Sequence, residues 1–224
     1  EILWYIIKIL KTYNFNHFVL PLGYKGNLIR KYLKNNKNFF SEIECVDTGL
    51  NSNIGKKNKI IEKKIKSKNF LLLNGDAIFN FNIEKIFKEH EKKKNGITFL
   101  SSEITYQYGT VGVVKDKVVD FKRNIVYDAL KTRSEFNYTA YNYTGMSIIK
   151  TELIRKYKNN YIHSENFEQN IFPKLIKNNP SKLAKTKGFW HSIDNIKDLF
   201  VVDQKKNMDK KFNQVKKIKK FIKY

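Results

Sequence analysis

The sequence predicts an α/β fold with a doubly wound sheet, and three observations lead to that prediction. Asn69–Leu73 is a nearly continuous apolar run, which is typical of a strand covered on both faces of a parallel sheet. Amphipathic helical patterns alternate with further short apolar runs on either side of it. The chain has 224 residues, 41% of them hydrophobic, which is enough to bury one sizeable core. We expect one domain over residues 1–207 and a basic C-terminal helix or tail at 208–224.

The first half of the chain alternates helix and strand. Ile2, Ile6 and Leu10 recur on one helix face, which predicts that the chain opens in a helix. The elements predicted after it are a strand at His17–Leu22, a helix around Leu28–Leu33, strands at Ile43–Val46 and Asn69–Leu73, and a helix at Ile83–Lys93.

The second half is richer in strands. Its predicted strands are Ile97–Leu100, Val111–Val114, Val118–Phe121 and Tyr138–Ile149. Its predicted helices are Glu152–Tyr157, Glu168–Ile176 with an interruption at Pro173, and one that begins at Ile196.

The net charge of +23 raises the question of nucleic-acid binding. The lysines are spread over every segment and accompany an excess of Asn and Ile, so an A/T-rich coding sequence explains them and no nucleic-acid partner is expected. The positive field favours anionic substrates such as nucleoside triphosphates and sugar phosphates. The sequence carries no export signal or bilayer-spanning apolar run, so we expect a cytoplasmic protein without membrane contact.

Two carboxylates follow hydrophobic stretches. Asp76 comes directly after Leu71–Leu73 and a turn at Gly75, and ligands of open α/β sheets bind at the carboxyl ends of strands. Carboxylate oxygens suit Mg²⁺, so Asp76 and the later Asp194 are candidate metal ligands. Asp76 is equally well explained as the cap of a following helix, and a helix cap is also the alternative for Asp194, with Asn195 as the competitor. The residues alone leave both alternatives open.

A third polar turn follows the strand at Ile43–Val46. Thr48 and Gly49 begin it, and Gly55 and Lys57 follow within a few residues. Backbone amides and ammonium groups there are able to cradle phosphates, although the spacing is not that of a Walker loop. A solvated lysine-rich loop is the alternative.

Together, the short motifs form an ordered series from the first helix to about Gln204. They are Ile2–Trp4, Leu22–Gly26, Val46–Leu50, Asn74–Asp76, Tyr108–Gly109, Glu168 before Phe172–Pro173, and Gly188–Trp190 followed by Asp194. This series resembles the sugar-1-phosphate nucleotidyltransferases, also called NDP-sugar pyrophosphorylases, and among them the glucose-1-phosphate cytidylyltransferases.

The resemblance implies a Rossmann-like, doubly wound mixed sheet of the nucleotide-diphospho-sugar transferase type, here without its first strand and loop. It implies transfer of a nucleotidyl group from an NTP to a sugar 1-phosphate with release of pyrophosphate, with Mg²⁺ as cofactor. CTP and glucose 1-phosphate are the favoured substrates, and such sugar nucleotides generally feed surface polysaccharide synthesis. A homo-oligomer is compatible with this reading.

The resemblance also assigns roles to residues. Asp76 and Asp194 would be the catalytic, metal-binding carboxylates. The positions expected along the nucleotide are Thr48, Gly49, Gly55, Lys57 and Gly75. The positions expected at the sugar phosphate are Gly109, Lys122, Arg123, Gly145 and Glu168.

The chain departs from the family pattern in four places. The usual Asn-Gly-Gly or Asn-Ala-Gly sugar motif is Tyr141–Gly145 here, with Gly145 matched, and the stretch between Tyr32 and Val46 is shorter than in cytidylyltransferases. Relatives carry a Glu-Lys-Pro motif where this chain has Asp120–Asn124, so Lys122 or Arg123 is expected to replace the displaced lysine. The family's glycine-rich loop and the lysine after it belong before Glu1, so we expect the chain as given to be inactive unless the full-length protein supplies them. Two other functions stay open: a nucleotide-sugar glycosyltransferase and a catalytically degenerate regulatory paralogue that binds nucleotide or sugar phosphate.

Overall fold

The structure is a computed structural model, and it describes residues 2–36, 42–50, 52, 54–106, 108–131, 137–157 and 166–207. The helices are α1 (Ile2–Thr12), α2 (Gly26–Asn35), α3 (Ile54–Ile61), α4 (Ile83–Lys92), α5 (Thr151–Tyr157), α6 (Phe167–Asn170), α7 (Phe172–Asn178) and α8 (Ile196–Asn207). The strands of the first half are β1 (Phe18–Leu22), β2 (Ile43–Asp47), β3 (Asn69–Leu73), β4 (Ala77–Asn80) and β5 (Ile97–Ser101). Those of the second half are β6 (Ile104–Tyr106), β7 (Thr110–Val114), β8 (Lys117–Lys122), β9 (Ile125–Tyr127), β10 (Ala129–Lys131), β11 (Thr139–Tyr141), β12 (Tyr143–Lys150), β13 (Ser181–Lys185) and β14 (Phe189–Ser192).

The central sheet of the described residues has the strand order β13-β5-β12-β3. Strand β13 pairs with β5 in parallel, whereas β12 runs antiparallel to both β5 and β3. Strands β3, β5 and β13 therefore point the same way, and their carboxyl ends share one edge with the start of β12. The mixed α/β sheet predicted from the sequence is confirmed.

A second, parallel pair is formed by β1 and β2. The connections β1-α2-β2 and β2-α3-β3 each pass through a helix, which is the usual link between parallel strands. In the part of the chain that the structure describes, β1 pairs only with β2, and β3 pairs only with β12. Among the described residues, β1 and β3 each therefore have one edge without a strand partner.

Helices cover both faces of the central sheet. On one face, Ile6 and Leu10 of α1 pack with Phe79 and with Met146 and Ile148 of β12. The opposite face is covered by α5, α6 and α7, whose buried residues include Leu153, Ile154, Phe167, Ile171, Phe172 and Leu175. Strand β12 is buried along residues 144–149 because it contributes to both layers. The central sheet therefore has helices on both faces, which is the doubly wound arrangement that the apolar patterns of α1 and β3 predict.

Some predicted boundaries are wrong. Tyr138–Ile149 is two strands, β11 and β12, which are separated at Asn142. Strand β4 was not predicted, because its four residues follow the turn at Asp76 directly and pair with β14, which lies over a hundred positions later in the sequence. The helix predicted at Glu168–Ile176 is divided into α6 and α7, with Pro173 in the first turn of α7, where a proline is tolerated.

The basic C-terminal segment predicted at 208–224 lies outside the described residues. Within the described ranges, no helix is long and apolar enough to cross a membrane.

Candidate active site

Strand pairing brings the two predicted metal carboxylates together. Strands β4 and β14 are antiparallel with Ala77 opposite Ser192, and the Ile193 N–H donates to the Asp76 carbonyl at 2.8 Å. Asp76 thus lies just before one strand, and Asp194 lies just after its neighbour. Both residues are exposed at the carboxyl edge of the sheet. The backbones of these two residues, which are 118 positions apart in sequence, are therefore neighbours in the fold.

The capping alternative for Asp76 is wrong. The turn at Asp76 leads into β4, not into a helix, and the next helix, α4, is capped by Asn82, whose side chain accepts the Lys85 N–H at 2.9 Å. The Asp76 carboxylate is left available at the strand edge for another partner.

The capping alternative for Asp194 is wrong as well, because Asn195 takes that role. The Asn195 side-chain oxygen accepts the Lys197 N–H at 2.9 Å and the Asp198 N–H at 3.4 Å. In return, Asp198 Oδ2 accepts the N–H groups of Asp194 and Asn195, both at 2.9 Å. This reciprocal arrangement is a capping box, and it fixes the backbone that carries the Asp194 carboxylate.

Asp198 is a positioning residue that the sequence analysis missed. The bond that it accepts from the Asp194 N–H is the largest cause that lowers the pKa of the Asp198 carboxyl below its usual range. His191 Nε2 lies 3.6 Å from Asp198 Oδ1 and adds to the same effect. The Asp194 carboxylate itself accepts the Ser192 hydroxyl at 3.1 Å. The spacing of Asn195 and Asp198 at the start of a helix was the signal that could have identified this box.

The Gly188–Trp190 motif holds β14 in place. Gly188 has a φ of +142°, and a Cβ on it would come within 2.1 Å of the Asn80 carbonyl oxygen. Trp190 Nε1 donates to the Thr144 carbonyl at 3.0 Å, which ties β14 to the central sheet. Both features set the position of Asp194.

Gly145 brings the predicted sugar motif against the predicted metal motif. It has a φ of +72°, and its Cα faces Asn74 so closely that a Cβ would lie 2.8 Å from the Asn74 side-chain nitrogen. The Asn74 N–H donates to the Gly145 carbonyl at 3.0 Å. The two motifs meet at one point of the sheet edge. Gly75, in contrast, has open space around its Cα and no left-handed φ, so the fold does not require glycine there.

On the nucleotide side, Thr48 and Gly49 close the end of the β1-β2 pair. Thr48 is buried, and both its N–H and its hydroxyl donate to the Leu22 carbonyl at 2.8 Å. Gly49 has a φ of +87°, and its N–H donates to the Asp47 carboxylate at 2.9 Å. Thr48 therefore has a structural role, which leaves Gly49 as the exposed backbone of this turn.

The lysine-rich stretch that contains Gly55 and Lys57 is helix α3, not a loop. Its buried residues and those that follow it, Asn58, Ile61, Glu62 and Ile65, are spaced as one face of a helix. The many lysines hid this spacing in the sequence. Gly55 lies in the first turn, and Lys57 is half-buried.

One cavity of about 930 Å³ joins part of the candidate site. It is lined by Lys57, Gly75 and Glu168, together with Tyr143 and all of β1 and β3. Burial raises the pKa of Tyr143 to about 12, and its hydroxyl lies 2.9 Å from Ser147 Oγ. Lys57 of α3 and Glu168 of α6, which are predicted to lie at the nucleotide and at the sugar phosphate, thus open onto the same space.

The remaining predicted sugar-phosphate residues lie in or next to the antiparallel hairpin of β7 and β8, residues 109–123, which is called the β arm here. Gly109 packs under the ring of Phe121, and a Cβ there would come within 2.5 Å of it. Lys122 is exposed and forms an ion pair with Asp120 at 2.8 Å, which raises its pKa. Arg123 follows on the same exposed arm. The structure does not bring Gly109, Lys122 and Arg123 into the lining of the cavity.

A lysine that the sequence analysis passed over lies at the sheet edge. Lys185 ends β13, and its Nζ donates to the Tyr141 hydroxyl at 2.8 Å and lies 4.2 Å from the ring centre. Its Nζ is also 3.9 Å from Asp128 Oδ2. Tyr141 begins the predicted sugar motif that ends at Gly145, so Lys185 is a cation beside that motif. In so lysine-rich a chain, nothing in the sequence distinguished it.

The donor set fits a magnesium ion. Asp76 and Asp194 supply hard carboxylate oxygens at an exposed edge, and Mg²⁺ in nucleotide enzymes is typically held by one or two carboxylates with phosphates and water completing the shell. Among the described residues, no group of three or more His, Cys, Asp or Glu side chains forms a closed metal cage. Such an ion would therefore depend on its substrate for further ligands.

A doubly wound sheet with paired carboxylates at its carboxyl edge places the protein in the class of nucleotide-binding α/β proteins. Residues 1–208 match the family described as Nucleotidyl transferase. The chain belongs to this family, and the enzyme class predicted from the sequence, that of the sugar-phosphate nucleotidyltransferases, is confirmed.

The similar proteins share low sequence identity over most of the chain. A probable glucose-1-phosphate cytidylyltransferase of Bacillus subtilis (strain 168) is 24% identical over 91% of this chain and 83% of its own length. Glucose-1-phosphate cytidylyltransferase of Salmonella typhi is 20% identical over 88% and 80%. The crystal structure of HddC from Yersinia pseudotuberculosis complexed with GMP-PN matches 91% of this chain and 84% of that protein with a TM-score of 0.64 at 18% identity. At that identity the structural likeness supports the fold.

Proposed function

We propose that the protein, with Mg²⁺, transfers a nucleotidyl group from CTP to glucose 1-phosphate and releases pyrophosphate. The observation that supports this proposal is that the pairing of β4 with β14 makes Asp76 and Asp194 neighbours at the carboxyl edge of the sheet, close to the Asn74–Gly145 contact. The choice of CTP and glucose 1-phosphate rests on the two curated relatives named as glucose-1-phosphate cytidylyltransferases.

In the proposed reaction, a phosphate oxygen of the sugar 1-phosphate attacks the α-phosphorus of the NTP. A new phosphorus–oxygen bond forms in line with the bond to the β-phosphate, which breaks, and its electron pair leaves with pyrophosphate. Such transfers depend mostly on positioning and charge neutralisation. Asp76 and Asp194 would hold the metal ion, which would supply positive charge against the phosphates. The protein needs no nucleophile of its own.

The chain's own residues position the two substrates on opposite sides of the carboxylates. The turn at Gly49 and helix α3 with Lys57 lie on the nucleotide side. Tyr141, Gly145 and the cation Lys185 lie on the sugar-phosphate side. The net charge of +23 draws both anions toward the protein.

The test is pyrophosphate release by the full-length protein with Mg²⁺, measured for each NTP with each of several sugar 1-phosphates. We expect Asp76→Asn to abolish turnover, because the amide keeps the shape of the side chain and loses its charge. Asp116→Asn, on an exposed turn of the β arm, is the matched control and should keep full activity. Pyrophosphate release that survives Asp76→Asn would remove this residue from the site, and no release from any substrate pair would overturn the proposed reaction.

A further inference from the structure

A second, smaller cavity of about 160 Å³ lies at the edge of the central sheet opposite to the candidate carboxylates. Its lining includes Asn69, the first residue of β3, and Lys150, the last residue of β12, which are partners in the strand register. Asp76 lies beyond the other end of β3, a strand that spans about 16 Å. The cavity is therefore separate from the candidate active site.

The buried part of the lining is a chain of hydrogen bonds around His90, which is 1% exposed. His90 Nδ1 lies 2.8 Å from Thr98 Oγ1, and His90 Nε2 lies 3.3 Å from Asn69 Oδ1. Asn95 Nδ2 donates to the same Thr98 oxygen at 3.4 Å. Asn69 Nδ2 in turn donates to Glu91 Oε1 at 3.2 Å. Burial is the main cause that lowers the pKa of His90, so the ring is neutral and this wall is polar without a positive charge of its own.

Three ammonium groups complete the lining, those of Lys68, Lys94 and Lys150. Among the described lining residues, Glu91 is the one carboxylate, so three positive charges stand against one negative charge. Lys150 has a second carboxylate, that of Glu152, at 3.6 Å, whereas neither Lys68 nor Lys94 forms an ion pair in the described part of the chain. A cleft lined mainly by one sign of charge focuses the field and concentrates counter-ions.

Lys94 has a backbone conformation that favours glycine. Helix α4 ends at Lys92 with Lys93 as its C-cap, and Lys94 follows with a φ of +51°. Left-handed backbone directly after a helix usually belongs to glycine, because a Cβ is strained there. The chain therefore has a lysine where glycine would be more stable, and that lysine lines the cavity.

A small tetrahedral oxyanion fits this set of groups. Water occupies about 30 Å³ per molecule in the liquid, so the cavity has room for at least about five waters, or for a phosphate group with as many heavy atoms. Lysine ammonium groups bind phosphate through charge-assisted hydrogen bonds. We propose that the cavity binds one phosphate group, as inorganic phosphate or as the head of a phosphate monoester, through Lys68, Lys94 and Lys150. The bound group joins the end of α4 to the neighbouring ends of β3 and β12.

The test titrates the full-length protein with inorganic phosphate at constant ionic strength and follows backbone amide signals by NMR. The amides of Asn95 and Gly96 lie at the cavity, so they report this site and not the candidate active site. We expect saturable shifts of both signals. Shifts confined to Gly145 and Asp194, at the opposite edge of the sheet, would overturn the proposal, and so would shifts at Asn95 that grow without saturation.

Substitutions of single lysines test which ammonium groups bind the ion. Lys94→Gly removes the charge and relieves the left-handed backbone, so we expect the Kd for phosphate to rise by about tenfold while the Tm is unchanged or higher. Lys150→Gln should raise the Kd by a similar factor. The matched controls are Lys92→Gln and Lys93→Gln, which are next to Lys94 in sequence and outside the described lining. Each control should change the Kd by less than about twofold, because charges in solvent are screened.

Equal effects of Lys92→Gln and Lys94→Gly would mean that the general positive field attracts phosphate and that the cavity does not bind it. Wild-type affinity in both Lys94→Gly and Lys150→Gln would also overturn the proposal. Glycerol 3-phosphate, titrated in parallel, distinguishes the two sources of the group. Binding as tight as that of inorganic phosphate means that the cavity accepts a monoester, and much weaker binding means that it encloses the free ion. None of these readouts depends on turnover, so the result stands apart from the proposed reaction.

Discussion

Gly188 offers the sharpest test of how the carboxylate edge is held. Its φ of +142° is in the region that favours glycine, and a Cβ there would stand 2.1 Å from the Asn80 carbonyl oxygen, whereas real Cβ atoms essentially never approach within 3.0 Å. Gly188→Ala therefore forces β14 to retreat from β4 by the better part of an ångström. Asp194 follows β14 directly, so the change acts on both stability and the site.

The magnitude follows from two contributions. Backbone strain at such a φ costs about 1–3 kcal/mol, and forcing an extra methyl group into packed surroundings costs about 1–3 kcal/mol more. We expect Gly188→Ala to lower the free energy of unfolding by roughly 4 kcal/mol, out of a total of about 5–15 kcal/mol for a domain. In a chain of this size, that corresponds to a Tm lower by about 8–16 °C.

Urea unfolding followed by circular dichroism measures this loss, and Gly75→Ala is the matched control. A Cβ on Gly75 meets nothing within 4 Å, and its φ is not left-handed, so alanine there should change the unfolding free energy by less than about 1 kcal/mol. If Gly188→Ala is as stable as Gly75→Ala, β14 does not pack on β4 at Asn80 as described.

Three further outcomes are expected. Trp190→Phe should lower the unfolding free energy by about 1–2 kcal/mol, because the Thr144 carbonyl loses its indole donor; an unchanged urea midpoint would contradict this. Burial is the main cause that lowers the pKa of His90, so the folded state resists protonation of this side chain. The free energy of unfolding should therefore be at its highest above about pH 6.5, the ordinary pKa of histidine, and should fall below that pH. His90→Gln should flatten that fall in urea titrations between pH 5 and pH 7.5, and an equal pH dependence in both proteins would refute the assignment. Lys185→Gln should raise the KM for the sugar 1-phosphate by about tenfold with little change in the KM for the NTP, because a charge-assisted hydrogen bond to the phosphate is lost. Lys122→Gln is the control and should leave both KM values unchanged. Similar effects of the two substitutions would argue against a phosphate role for Lys185.

The sequence predicted the elements whose pattern is local. The face of α1, the apolar run of β3 and the cap of α8 at Asn195 each depend on residues within one or two turns of each other. Asp76 and Asp194 were predicted as metal ligands only through the ordered motifs, because local reasoning left a helix cap open as the alternative for each. The structure removed that alternative by placing β4 after Asp76 and Asn195 at the start of α8.

The features that the sequence could not predict depend on pairing between distant segments. Strand β4 is too short to show a period of its own, and it is defined by its pairing with β14. Lys185 gains its place beside Tyr141 only because β13 pairs with β5, more than 80 positions earlier. Helix α3 was missed for another reason, since it has as many lysines as isoleucines and the lysines mask the spacing of its buried face.

The capping box at Asn195 and Asp198 makes the candidate metal site and the last helix a single cooperative unit. The N–H of Asp194 is held by a side chain in the first turn of α8, so fraying of that turn releases the backbone of the carboxylate. In native-state hydrogen exchange, the amides of Asp194 and Asn195 should open together with the first turn of α8 and not with the centre of the sheet. Anything that stabilises this helix then also narrows the range of positions that the Asp194 carboxylate samples.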